Sequence, residues 1–183
     1  MNDSRIPIFL DNNVWDFLFE RRDSICLSRE LPATEFDLAI VREIEFEMPP
    51  MPDNKRRFAC EQIRGAKVRT RWFFGFVDPK IPPDKQRIGG WDKGEWASPA
   101  QRDFMQSQQH RIGRQRPTGL YANEADIALA ARSLCAIVLT NNSEAIFNDA
   151  EKQGGTIVHL NCFDEVGVSL RSFIERAATQ WFS

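Results

Sequence analysis

Residues 123–142, NEADIALAARSLCAIVLTNN, constrain the fold of this chain more than any other stretch. Ile127, Ala130, Ala131 and Leu134 recur at i, i+3, i+4 and i+7, the stripe of an amphipathic helix. Asn123 is the expected cap, with Glu124 and Asp126 in the first turn, where acids suit a helix start. A short apolar run follows at 136–139 and is halted by Thr140, Asn141, Asn142 and Ser143. In an α/β sheet such a halt marks the carboxyl edge of a strand, where these folds bind ligands. A helix packed back against that strand runs antiparallel to it, so Asp126 is expected near the same edge.

The rest of the chain repeats this alternation. Residues 6–10, IPIFL, read as a strand that stops at Asp11-Asn12-Asn13 and hands over to a helix carrying Val14, Phe17 and Leu18 on one face. Asp11 stands at the hinge, where any of the three polar residues would serve as a cap. Residues 36–41 form a second apolar strand. The segment REIEFE after it supports two readings. As a helix it shares Glu43 and Glu47 on one face with Glu45 turned away; as a strand it aligns all three. An amphipathic helix is expected over 54–74, then broken periodicity rich in Pro and Gly to residue 120, with a helix at 99–109. Helices at 143–153 and 166–182 bracket a last strand at 156–160. The expected architecture is α/β in three layers, with a central parallel sheet of about four to five strands flanked by helices. It forms one domain over residues 1–183 with a helical and loop insertion at about 54–119.

Charge is unevenly divided. Residues 55–116 hold 15 Lys and Arg against 6 Asp and Glu, while the remainder holds 9 against 20. An acidic body with a basic middle suits a metal site beside a polyanion-binding surface, the simpler account being a solvated basic helix and loop. Lys55, Arg56, Arg57, Arg64, Lys67, Arg69 and Arg71 would form the basic face of the 54–74 helix and are the candidate contacts to that polyanion. Trp91 and Trp96 are candidates for base stacking or for local packing. No apolar run approaches the ~18 residues of a membrane span. Cys26, Cys60, Cys135 and Cys162 fall singly, as expected of reduced thiols in a cytoplasmic protein rather than zinc ligands.

The chemistry lies in the acids at strand ends and helix starts. Asp11, Glu43 and Asp126 can converge on one sheet edge, and three carboxylates in one pocket repel each other. A divalent cation relieves that repulsion, and ligands made only of oxygen suit Mg²⁺ or Mn²⁺. Neither a phosphate-cradling Gly-rich motif nor a Ser-His or Cys-His pairing is legible. His159 in the last strand reads as structural.

Three segments in order, IFLDNNVWDFL, AIVREIE and NEADIALAARSLCAIVLTNN, resemble the PIN domain, whose members include the ribonuclease toxins of bacterial toxin–antitoxin pairs. The resemblance covers about residues 5–48 and 120–162. It implies a metal-dependent endoribonuclease hydrolysing RNA phosphodiesters with Mg²⁺ or Mn²⁺. It assigns Asp11, Glu43 and Asp126 to the metal, with Glu45 as the alternative second acid. Thr140, Asn142 and Asn12 would position water or phosphate, and Asn142 would complete the catalytic set. Two partners belong to the same expectation, an antitoxin protein and a second copy in a homodimer. Two departures stand out. Asn142 replaces the family's last Asp, so a fourth carboxylate is missing unless Glu144 supplies it, and the middle section is longer than a compact toxin needs. The rival expectation is a catalytically silent PIN-like module that binds RNA or another protein.

Overall fold

The computed structural model describes residues 4–74, 82–89, 94–165 and 167–182. Its frame is one sheet of six parallel strands: β1 (Ile6–Leu10), β2 (Phe36–Val41), β3 (Arg69–Phe73), β4 (Gly94–Glu95), β5 (Ile137–Thr140) and β6 (Thr156–His159). The spatial order is β4-β3-β2-β1-β5-β6. Its central strands read as near-continuous apolar runs because both faces are covered, and β2 and β5 are buried along their whole length.

Among the described residues eight α-helices accompany the strands: α1 (Val14–Glu20), α2 (Leu27–Glu30), α3 (Arg42–Glu47), α4 (Asp53–Gly65), α5 (Pro99–Gln108), α6 (Glu124–Arg132), α7 (Ala145–Lys152) and α8 (Leu170–Ala177). They fall into two groups. α1 and α2 pack on α4, and Phe163 sits edge-on to both Phe17 of α1 and Phe173 of α8 at 5.5 Å. α6 packs against α3, α5 and α7 and is buried from Ala125 to its last residue, Asp126 being half-buried. Among the described residues no helix is long and apolar enough to cross a membrane.

Six strands stand where four to five were expected, and both additions come from the basic middle. The helix expected over 54–74 ends at Gly65, and the chain turns through Lys67 at φ 55° before entering β3. The turn is closed by Val68 N–H donating to the Ile63 carbonyl at 2.9 Å. Arg69 and Arg71 therefore lie on a strand, not on a helical face. Both pair with Asp37, which is buried in β2. A buried carboxylate without such cations would be strongly destabilising, so these two arginines are structural partners first.

Chain order and strand order disagree at one place. From β1 the chain steps outward through β2, β3 and β4, then returns to β5 on the other side of β1. The gap beyond the carboxyl ends of β1 and β5 is thus the switch point of the sheet, the crevice where open α/β sheets take their ligands. Pairing of Leu10 with Leu139 sets Asp11 beside Thr140 at that edge.

Candidate functional site

Asp11 follows the last residue of β1 and is only 5 % exposed. Its backbone N–H donates to the Leu139 carbonyl at 3.0 Å, which ties the hinge to β5. Three donors hold its carboxylate: Thr140 Oγ1 at 2.6 Å, Asn13 Nδ2 at 2.7 Å and the Asn12 backbone N–H at 2.6 Å. Burial nevertheless raises its pKa, outweighing those hydrogen bonds, with Glu144 adding repulsion. Asn13 also accepts from the Asn141 N–H at 2.8 Å, clamping the two polar turns together. It gives α1 no side-chain cap, so its polar atoms serve the crevice instead. Sequence reasoning treated Asn13 only as a cap candidate. The Oδ1 atom of Asn12 is buried and has no hydrogen-bond partner among the described residues.

Thr140 is fully buried and relays this arrangement: while donating to Asp11, its hydroxyl accepts the Asn142 N–H at 2.9 Å. The Asn142 side chain accepts the Glu144 N–H at 3.1 Å, and its carbonyl contacts His159 Nδ1 at 3.1 Å. Asn142 therefore shapes the turn that presents Glu144. His159 has its other ring nitrogen 3.4 Å from Glu151.

Asp126 lies in the first turn of α6, half-buried, and its pKa is pushed up to about 7. Burial is the largest cause, followed by Asp11, Glu144 and Glu47, with Arg116 opposing. Glu47 is likewise raised by burial and by Asp11, while Arg116 lies 3.7 Å away and lowers it. The Asp11 charge thus reaches Glu47 and Asp126, and Glu144 acts on Asp11 and Asp126. Asn123 precedes this turn in a left-handed conformation and donates to the Arg111 carbonyl at 3.0 Å; it does not cap α6 with its side chain.

The segment REIEFE is helical, which resolves the two sequence readings. Glu45 turns away, bonded to Arg42 and Thr70. Glu43 occupies different surroundings from the acids above. It lines a cavity of about 640 Å³, and its pKa is pushed up to about 7. The largest cause is burial; Glu124 raises it further and Arg132 and Arg87 lower it. The acid that shares the electrostatics of Asp11 is Glu47, one helical turn further on. Both face the same way from α3, so the sequence carried the signal for Glu47 as the i+4 partner of Glu43.

The oxygen-only donors at the switch point suit Mg²⁺ or Mn²⁺ in chemistry, and their mutual repulsion is what such an ion would relieve. Their spacing is a weaker fit. Among the described residues no three acidic, histidine or cysteine side chains are gathered closely enough to hold a metal ion.

The proposed RNA face is partly neutralised. Lys55 pairs with Asp16, Arg56 with Asp53, and Arg69 and Arg71 with Asp37. Trp96 stacks on Phe74 at 4.3 Å between ring centres, and Trp91 lies outside the described residues. Compared with known proteins, the chain matches no family model, no curated protein and no solved structure.

Proposed function

We propose that this chain is a Mg²⁺- or Mn²⁺-dependent endoribonuclease of the PIN type, with Asp11, Glu47 and Asp126 as its metal-binding acids. The observation that carries the reading is the buried Asp11 carboxylate, fixed by Thr140, Asn13 and the Asn12 N–H at the switch point of a parallel sheet, where its charge acts on Glu47 and Asp126. Acids held together in this way cost stability unless a cation or protons neutralise them. Glu47 takes the part that the sequence pattern gives to Glu43, because after burial the charge that raises Glu47 is Asp11, whereas the one that raises Glu43 is Glu124.

Each residue then has a task that follows from its bonds. Thr140, Asn13 and the Asn12 N–H fix the Asp11 carboxylate, so that it is oriented before substrate arrives. Asn142 holds the β5 turn so that Glu144 stands beside the cluster. Arg116 moderates the negative field between Glu47 and Asp126. A divalent ion bound there would polarise the scissile phosphate and lower the pKa of an attacking water.

Incubation of single-stranded RNA with the purified chain tests this. In Mn²⁺ cleavage is expected, and both EDTA and Asp11→Asn should reduce it at least a hundredfold while the circular dichroism spectrum is unchanged. Equal cleavage in EDTA would remove the metal mechanism. A silent RNA-binding module is the second reading; the spacing of the acids and the engagement of the Asn142 amide within its own turn favour it.

Binding to RNA has its own expected signature. Arg57, Arg64 and Lys67 are the members of the basic set with no ion pair among the described residues. Three phosphate contacts give a slope of about −2 in log affinity against log salt, from roughly −0.7 per phosphate on a single strand. Charge reversal at these three positions should flatten that slope; a slope unchanged by the triple variant would assign RNA to another surface.

A further inference from the structure

The cavity that receives Glu43 lies beside the acid cluster, since α3 and α6 contribute to both. Its lining combines two chemistries. Phe73, Phe74 and Trp96 supply aromatic surface, and Arg71, Arg87, Arg102 and Arg132 line it together with Glu43 and Glu124. Arg87 pairs with Glu124, Arg71 with Asp37 and Glu95, and Arg132 with Glu95, so most of the lining charge is matched. Trp96 is 75 % exposed although one ring face is covered by Phe74, so the other face is open as a platform. Arg102 is exposed on α5 and has no ion pair among the described residues.

Arg132 is the unusual member. It is 5 % exposed, and its guanidinium lies 3.8 Å over the Phe73 ring. One nitrogen, Nη1, donates to Glu95 at 2.7 Å. Both Nε and Nη2 are buried and meet no acceptor among the described residues. These two atoms form one edge of the planar fork that arginine uses for paired acceptors. Leaving buried donors unmatched is costly, and a ligand edge with two acceptors would satisfy them.

We infer that this cavity is a nucleotide subsite that takes one guanine nucleotide of a single-stranded RNA. The proposal rests on the ribonuclease reading above. Guanine presents O6 and N7 as adjacent acceptors, the pattern that an arginine fork matches. Its N1–H and N2–H donors lie further along the same base and suit a carboxylate, which Glu43 supplies. Adenine offers one acceptor beside a donor, and neither pyrimidine presents a paired acceptor edge followed by two donors. Stacking on Trp96 holds any base without preference, while Arg102 is free to meet a phosphate. The division is therefore clear: the aromatic platform gives affinity, and Arg132 with Glu43 gives selection.

Titration of the full chain in EDTA with 5′-GMP, AMP, CMP and UMP, followed by calorimetry, tests the cavity without any cleavage. GMP should bind at least tenfold tighter than the other three. In single-stranded oligouridylate, one central G should give a similar gain, which separates an RNA subsite from a site for free nucleotide alone. Trp96→Ala should weaken all four mononucleotides about tenfold with their order kept. Glu43→Gln should reduce the GMP preference and leave UMP binding unchanged. Arg132→Met should do the same, and because it is buried, the surface variants Trp96→Ala and Arg102→Gln carry the test if it fails to fold. Equal binding of the four nucleotides, no binding at all, or GMP binding indifferent to Trp96→Ala would overturn the proposal. A preference for GMP that stops at the free nucleotide would overturn the RNA subsite. Failure of the nuclease reading is seen separately, as RNA that survives Mn²⁺ while the GMP preference persists.

Discussion

Glu47→Gln is expected to lower RNA cleavage in Mn²⁺ at least a hundredfold, whereas Glu43→Gln should change kcat by less than tenfold and raise KM. The two residues are one turn apart on α3 and chemically identical, so the comparison isolates position. Burial raises both; beyond it, Glu47 is raised by Asp11 and helps raise Asp126, whereas Glu43 is raised by Glu124 and lowered by Arg132 and Arg87. An amide at 47 removes a negative oxygen ligand from the switch point, and a neutral oxygen holds Mg²⁺ or Mn²⁺ more weakly. An amide at 43 changes only what the adjoining cavity recognises. Initial rates against RNA concentration for both variants decide the matter. A larger loss of kcat at Glu43 than at Glu47 would return the second acid to the position that the sequence resemblance implies, and would remove Glu43 from base recognition.

The parts of the site that were legible in the sequence are those whose cause is local. An apolar run that stops at a polar cluster marks a strand end wherever it occurs, and so the sequence alone sets Asp11 and Thr140 at one edge. Asp126 was equally legible, because a helix following the periodicity of Ile127, Ala130 and Ala131 starts just before it. What could not be read depends on partners far along the chain. β3 carries Arg69, Thr70 and Arg71, charge and polarity that suit an exposed helix, and it becomes a strand through Asp37, 32 residues away. The helix before it ends through a left-handed turn at Lys67, although Gly65 two residues earlier was a usable stop signal. Two residues of β4 are too few for any periodicity. Arg132 was invisible for a related reason. α6 has packing partners on several sides, and the polar position at its end is covered by Phe73 and matched by Glu95. Glu43 and Glu47 were placed on one face correctly, but which of them meets Asp11 is set by how α3 lies against α6, a tertiary fact.

Without added metal, Asp126→Asn should make the protein more stable than wild type at pH 8, with the difference disappearing near pH 4. The sign follows from linkage. Asp126 has a folded-state pKa of about 7 against an ordinary value of 3.8, so between those values the folded chain holds protons that the unfolded chain has released. Stability contributed by this carboxyl is therefore present below about pH 4, declines as pH rises through about 7, and stays lost above it. A neutral amide carries no such loss. At roughly 1.4 kcal/mol per pKa unit, and discounting for partial exposure, the gain at pH 8 is of order 2–3 kcal/mol. For a chain of this length that is a rise of roughly 4–10 °C in Tm. Losing a favourable carboxylate in the first turn of α6 opposes the gain by only about 0.3–1 kcal/mol. Metal should invert the comparison. A cation bound only to the folded chain stabilises by about 2.7 kcal/mol at a hundredfold excess over Kd, and the variant has one ligand fewer. Thermal melts at pH 8 with EDTA and with Mn²⁺ therefore give two readings from each protein. The wild type should gain from Mn²⁺ more than the variant does, starting from a lower Tm. A variant less stable than wild type at pH 8 in EDTA would show that Asp126 serves its helix and not the crevice. If the wild type in addition ignored Mn²⁺, the chain would be left as a binding module.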